Sequence, residues 1–329
     1  MVAPLSARIT ENVMKANADF RLTLAALLWT LLPLGAIAQD GSEQSAAAPQ
    51  VIRLAGWEPP PAVVDRGNAV QAEASQLPDH AWAGEYYAGD GLGMNVRLLV
   101  SPAAGVSATW HGCLGLYGSN EGLIQPQPDG TLKFAYAKPN EHRFGGFPNA
   151  VQPVRWGERR YLIASDELDE FVSAINLGRE PRQGMRGMFL LADGDADKAV
   201  HGLPDLPEPY RSRIRSEALI VGVSGIALLD TTQHDGWCDV TYRVSLPRGS
   251  DDGLGPRAIL HVRSPDTYES LRIVSATSHT AHGEMRLSAS YCDEIRVPDA
   301  SWTFTTGAYD PVAHDRAVDA GDRQAEDTK

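Results

Sequence analysis

Few residues in this 329-residue chain combine the types and spacing that chemistry needs. His111 and Cys113 come first, in TWHGCLGLYGSNEG (109–122). Two places apart on a strand, their side chains share a face. A neighbouring imidazole lowers a thiol's pKa, so the pair has the makings of a nucleophile or a metal ligand. Two points weigh against that. Cysteine hydrolases draw base and nucleophile from distant parts of the chain, and an exposed reactive thiol oxidises outside the cytoplasm. The expectation is a strand entering a turn, with Cys113 in the core and His111 at its edge.

Carboxylates are the next candidates. Asp90, Glu121, Asp166 and Glu180 stand in or beside glycine-rich stretches. Two carboxylates suffice for glycoside hydrolysis, but no spacing rule selects a pair, so the catalytic residues stay unknown, with Asp90, Glu121 and Glu180 as weak candidates. DGDAD (193–197) opens like a calcium loop, yet Lys198 and Pro204 occupy the positions that need glycine and a carboxylate; a solvated acidic turn is expected. GDGLG (89–93) lacks the lysine and serine or threonine of a phosphate loop. GVSG (222–225) lacks the last glycine of a nucleophile elbow. His279 and His282 have no further ligands in view and read as turn residues. No cofactor and no metal are expected.

The elements that must position these residues begin after a leader. Arg21 precedes LTLAALLWTLLPLGAIA (22–38), which ends in Ala36-Ile37-Ala38. A basic start, a short apolar centre and a small-residue site make a secretory signal cleaved after Ala38. Met14 gives such a leader a more ordinary length than Met1. No later apolar run is long enough to span a membrane, so no transmembrane segment remains after cleavage, and the protein is expected in the periplasm or secreted. Lys and Arg total 29 against 42 Asp and Glu, a net charge of −13. With no basic stripe, nucleic acid is not a partner.

Residues 39–78 are rich in Ala, Gln and Pro and read as a flexible linker. From Trp82 short runs rich in Val, Tyr, Trp and Leu alternate with Gly, Pro, Asn and Asp, the texture of strands and turns. Trp82, Trp110 and Trp156 are core by default. One helix interrupts them at 166–177. Ser165 can cap it, Asp166 and Glu167 suit its positive end, and Gly178 follows its last turn. Leu168, Phe171, Val172 and Ile175 form one apolar face, which leaves Asp169 and Glu170 facing solvent. GLPDLPEP (202–209) breaks regular structure. Beyond it, six strand-like runs without a helix suggest a small antiparallel barrel or sandwich. From about Asp310 the chain is charged and reads as a disordered tail.

Four motifs in the first block form a set: W-x-G-x-Y-Y-x-G-D-G-L-G-x-N (Trp82–Asn95), W-x-G-C-x-G-x-Y-x-x-N-x-G (Trp110–Gly122), V-R-W-G-x-R-x-Y-L-I (Val154–Ile163) and N-x-G-x-E-P-R (Asn176–Arg182). Together they resemble a group of uncharacterised exported bacterial proteins, over roughly 80–210. The resemblance implies family membership and export, and no mechanism. G-S-D-D-G-L-G-P-R-A-I-L-H-V (Gly249–Val262) resembles small β-barrel modules of cell-envelope and surface-appendage assembly proteins. It departs from them at Pro256-Arg257, where such modules usually carry a glycine.

Three cysteines are too few for a disulfide scaffold, and an odd number leaves one over. Cys238 and Cys292 flank strands of the second block and are the expected disulfide, stabilising by on the order of 3–4 kcal/mol. The fold class that follows is mainly β (α+β): a β-rich domain with one packed helix (79–212), then a small all-β domain (213–309). The function expected is a non-enzymatic binding or structural module whose partner is an envelope protein or a small ligand. Its rivals are a carboxylate-dependent hydrolase acting on an envelope or extracellular polymer, and a thiol-dependent activity at Cys113.

Overall fold

A computed structural model describes residues 58–89, 94–140, 146–179, 189–234, 236–313 and 315. The described residues belong to one compact unit. Its fold is mainly β. Strands β1 (Gly84–Gly89), β2 (Met94–Ser101), β3 (Gly105–Gly112), β4 (Gly115–Pro126), β5 (Leu132–Tyr136), β6 (Ala150–Trp156), β7 (Arg159–Ala164) and β8 (Phe189–Ala192) pair in sequence order as a closed antiparallel barrel. Closure comes from β8 pairing with β1 through Ala192 opposite Tyr86, which removes both sheet edges.

The side-chain period of two sorts the barrel residues. Tyr86, Val96, Leu98, Val106, Trp110 and Leu162 fill the interior. On β7 and β8 the alternate residues, Tyr161, Ile163, Phe189 and Leu191, point outward into a separate apolar layer. These strands are buried on both faces, because a helix covers the outer one.

That helix, α2 (Leu168–Asn176), carries the expected apolar face but starts two residues later than 166–177: Glu167 and not Ser165 is its N-cap, and no side chain caps it. Leu168, Phe171, Val172 and Ile175 join the outer layer with Trp156 and Tyr309. Burying each such side chain stabilises by about 1.5–3 kcal/mol. The helix ends in a Schellman turn: the Arg179 N–H donates to the Ala174 carbonyl and the Gly178 N–H to that of Ile175. Gly178 takes φ +63°, the left-handed conformation that such a turn requires.

A second helix, α1 (Pro61–Ala74), corrects the expectation of a flexible linker over 39–78. Its prolines are a start signal, since Pro61 sits in the first turn, where a missing N–H is harmless. Val63, Gly67 and Val70 are buried at i, i+4 and i+7 against the outside of the barrel. Gly67 permits the close approach: a Cβ there would stand 3.3 Å from Leu99 Cδ1 and from Ser107 Oγ. At its end Glu73 accepts the N–H groups of Ala103 (3.0 Å) and Ala104 (2.6 Å), closing the β2–β3 turn.

The second block is an open seven-stranded antiparallel sheet, so barrel closure belongs to the first block. Its strands are β9 (Ile220–Gly222), β10 (Gly225–His234), β11 (Trp237–Leu246), β12 (Ile259–Ser264), β13 (Ser270–Ala276), β14 (Ala281–Ala289) and β15 (Thr303–Thr305), in the order β10-β11-β14-β13-β12-β15-β9. One face carries a core of Val244, Leu246, Leu260, Leu271, Met285, Trp302 and Phe304. Cys238 and Cys292 are bonded at 1.98 Å at its margin. The chain then returns, and Tyr309 packs on Trp156 with centroids 5.7 Å apart. Asp310 accepts the N–H groups of Val312 (2.9 Å) and Ala313 (3.2 Å), so the expected tail is ordered in its first residues. Residues 316–329, like 1–57 with the expected leader, lie outside the described residues.

Candidate functional site

The site is built from two polar faces that meet. On β12, β13 and β14 the residues opposite the core alternate as Ile259 and His261, Ser270 and Arg272, Glu284 and Arg286. The register aligns them in rungs: Ile259 beside Arg272, Arg272 beside Glu284, and His261 beside Ser270. Across them lies α2. Its apolar stripe is committed to the barrel, so it turns Asp169, Glu170, Ser173 and Asn176 toward the sheet. Two polar surfaces gain little from close packing. They are joined by specific bonds and leave a cleft of about 390 Å³ between them, with Tyr268 and Arg179 completing the wall.

The bonds are charged. Asp169, 3% exposed, pairs with Arg213 and with Arg257 Nε at 2.7 Å. Glu170 pairs with Arg272. This corrects the expectation that Asp169 and Glu170 face solvent: their partners come from the second block, which covers this side of the helix. Asn176 ties the same seam, donating to the Arg213 carbonyl (3.0 Å) and accepting the Arg215 N–H (2.9 Å). Arg257 takes φ +73°. The chain thus keeps a glycine-type conformation where its sequence departs from glycine, and the side chain bonds Asp169 and the Asp166 carbonyl (3.2 Å).

Inside the cleft, Ser173 Oγ and His261 Nε2 are 2.6 Å apart. Burial pushes the His261 pKa down to about 4, and the positive charge of Arg179 adds to the effect. The imidazole is therefore neutral at pH 7. Arg286 is engaged by Asp239 at 2.7 Å, which raises its pKa. Glu170 Oε2 is buried with no hydrogen-bond partner. Ile259 is the one aliphatic side chain among the described lining residues. A cleft so lined suits a ligand rich in hydrogen-bonding groups, since an apolar one would strand buried polar atoms.

A second hollow, about 450 Å³, lies beside Asn140 and Phe147–Ala150. It is larger and more open, and its amide Asn140 is already engaged, while Ser165 Oγ is buried with no hydrogen-bond partner. Asn140 Nδ2 donates to the Phe147 carbonyl (2.6 Å) and to Asn149 Oδ1 (2.9 Å), and its Oδ1 accepts the Phe147 N–H (3.1 Å).

The residues singled out in the sequence lie elsewhere. Cys113 is exposed, which corrects its expected place in the core. The cause is the turn: β3 ends at Gly112, Gly112 pairs with Gly115, and Cys113 and Leu114 form the two-residue tip. Strand alternation has lapsed there, so it no longer sets Cys113 on the face of the half-buried His111. Glu121 is held by Arg66 of α1 at 3.1 Å. Asp90 and Glu180 lie outside the described residues. Asp166 is exposed. The DGDAD turn is not simply solvated. Asp195 is 1% exposed and binds Lys198 Nζ (2.6 Å) and Arg160 (3.3 Å), bonds that hold its pKa down against burial. His279 is an exposed turn residue, and His282 meets Ser245 at 2.9 Å on β14. Trp110 and Trp156 are core. Among the described residues no cluster of three His, Cys, Asp or Glu could hold a metal, and no helix is long and apolar enough to cross a membrane.

Sequence reasoning missed the cleft residues. The available signal was polar alternation in LHVRS and SLRIVSA, which marks Arg272 and His261 as one face of a sheet. No family model matches the chain, and neither a curated protein nor a solved structure matches it.

Proposed function

We propose that this is an exported, non-enzymatic binding module whose ligand seat is the cleft between α2 and the open sheet, and that its ligand is a hydroxylated, saccharide-like molecule. The observation that supports this is the make-up of the preformed cleft: about 390 Å³, lined from both β blocks by residues that all carry a polar group except Ile259. The leader at 22–38 supports export to an envelope or extracellular setting, where such ligands abound.

A second reading has one observation in its favour. Glu170 and Glu284 stand on opposite walls of the same cleft, the arrangement a carboxylate-dependent hydrolase of polymers requires. Against it, Glu170 is neutralised by Arg272.

Affinity electrophoresis through gels holding soluble acidic or neutral polysaccharides tests the reading. The protein is expected to be retarded in at least one gel, with no new reducing ends, and Ser270→Trp, which fills the cleft, is expected to abolish retardation. Retardation unaffected by Ser270→Trp contradicts the cleft assignment. New reducing ends that vanish in Glu284→Gln favour the hydrolase.

A further inference from the structure

Resting on that assignment, we infer that the ligand carries a carboxylate, that it is an acidic saccharide of the uronate type, and that Arg179 is its anchor. Three arginines line the cleft, and two are already engaged, Arg272 by Glu170 and Arg286 by Asp239. Arg179 alone among them has no carboxylate partner among the described residues. The Schellman turn at Gly178 fixes its backbone immediately after α2 and sets it into the wall. The nearby imidazole is uncharged and already bonded to Ser173, so it adds no competing charge.

At the rim the Tyr268 ring is 96% exposed and offers a flat face for a sugar ring. An inorganic anion uses Arg179 and leaves Tyr268 idle. A neutral sugar does the reverse. A uronate uses both, because a planar guanidinium grips a carboxylate through two parallel bonds.

The chain's net charge of −13 does not forbid an anionic ligand. Charges beyond about 8 Å are largely screened at physiological ionic strength. What the ligand meets at close range is three arginines balanced by Glu170, Glu284 and the Asp239 that engages Arg286, with Arg179 the one left without a carboxylate among the described residues.

The test is calorimetric titration of the full chain with galacturonate dimer, the matching neutral galactose dimer and sodium phosphate. The uronate is expected to bind at least tenfold tighter than the neutral dimer. Arg179→Gln, with its folding checked by melting temperature, is expected to bring the two within twofold. Equal affinity for both dimers, lost in Ser270→Trp, overturns the carboxylate assignment and leaves the cleft reading standing. Phosphate binding as tightly as the uronate overturns the saccharide. Binding unaffected by Ser270→Trp overturns the cleft reading itself.

Discussion

At the scale of single residues, His261 and Arg257 show how the seam sets side-chain behaviour. The folded pKa of His261, about 4, lies below the usual 6.5. The unfolded chain therefore takes up the proton first as pH falls. The contribution of His261 is intact above pH 6.5, is lost as pH falls toward 4, and changes little below that. The full shift corresponds to about 3 kcal/mol, and partial exposure reduces it to about 2 kcal/mol. Denaturant titrations at pH 7 and pH 4.5 should show that loss in the wild type and much less of it in His261→Gln. Asp195, whose folded pKa is held below 3.8, acts at lower pH: its stabilisation is present above 3.8 and lost beneath it. Arg257 gives a test of another kind. A non-glycine residue at φ +73° carries strain of about 1–2 kcal/mol. Arg257→Ala keeps the strain and loses the bonds to Asp169 and Asp166. Arg257→Gly loses the same bonds and relieves the strain. The glycine variant is expected to be more stable than the alanine variant by about 1 kcal/mol, the reverse of the ordinary order.

At the scale of elements, α2 is packed on both sides, by the barrel on one and by the sheet on the other. Its apolar stripe was legible from Leu168, Phe171, Val172 and Ile175, and its end from Gly178, because both are local patterns. What covers its other side was not. The partners of Asp169 and Glu170 are 44 and 102 residues away, and periodicity carries no information over that span. The same limit applies to α1. EPPPAVV reads as a linker until a barrel wall is present to take Val63 and Val70. Cys113 was misread for a local reason, since one residue of error in a strand's end turns a core position into a turn tip. Asp169→Asn should cost about 1–3 kcal/mol in chemical denaturation. Breaking a fully buried ion pair costs about 3–5 kcal/mol, but Arg213 and Arg257 are partly exposed and recover some hydration.

At the scale of the whole molecule, the helix makes the barrel and the sheet a single unit. Hydrogen bonds, ion pairs and the return of Tyr309 cross the seam, so the fragment 54–313 should unfold in one calorimetric transition; two resolved transitions would contradict this. The Cys238–Cys292 bond closes 54 residues within the sheet. Its reduction should remove on the order of 4 kcal/mol, enough to lower the melting temperature by several degrees. The cleft exists only in this assembly, because one wall belongs to the helix and the other to the sheet.

The most direct measurement of that claim is amide hydrogen exchange with and without the polysaccharide that retards the protein in gels. Slowed exchange in 168–179, 259–272 and 284–286, with the rest of the chain unchanged, is the predicted result. Protection at the 113–114 hairpin or the barrel turns, with those three segments unaltered, would contradict it.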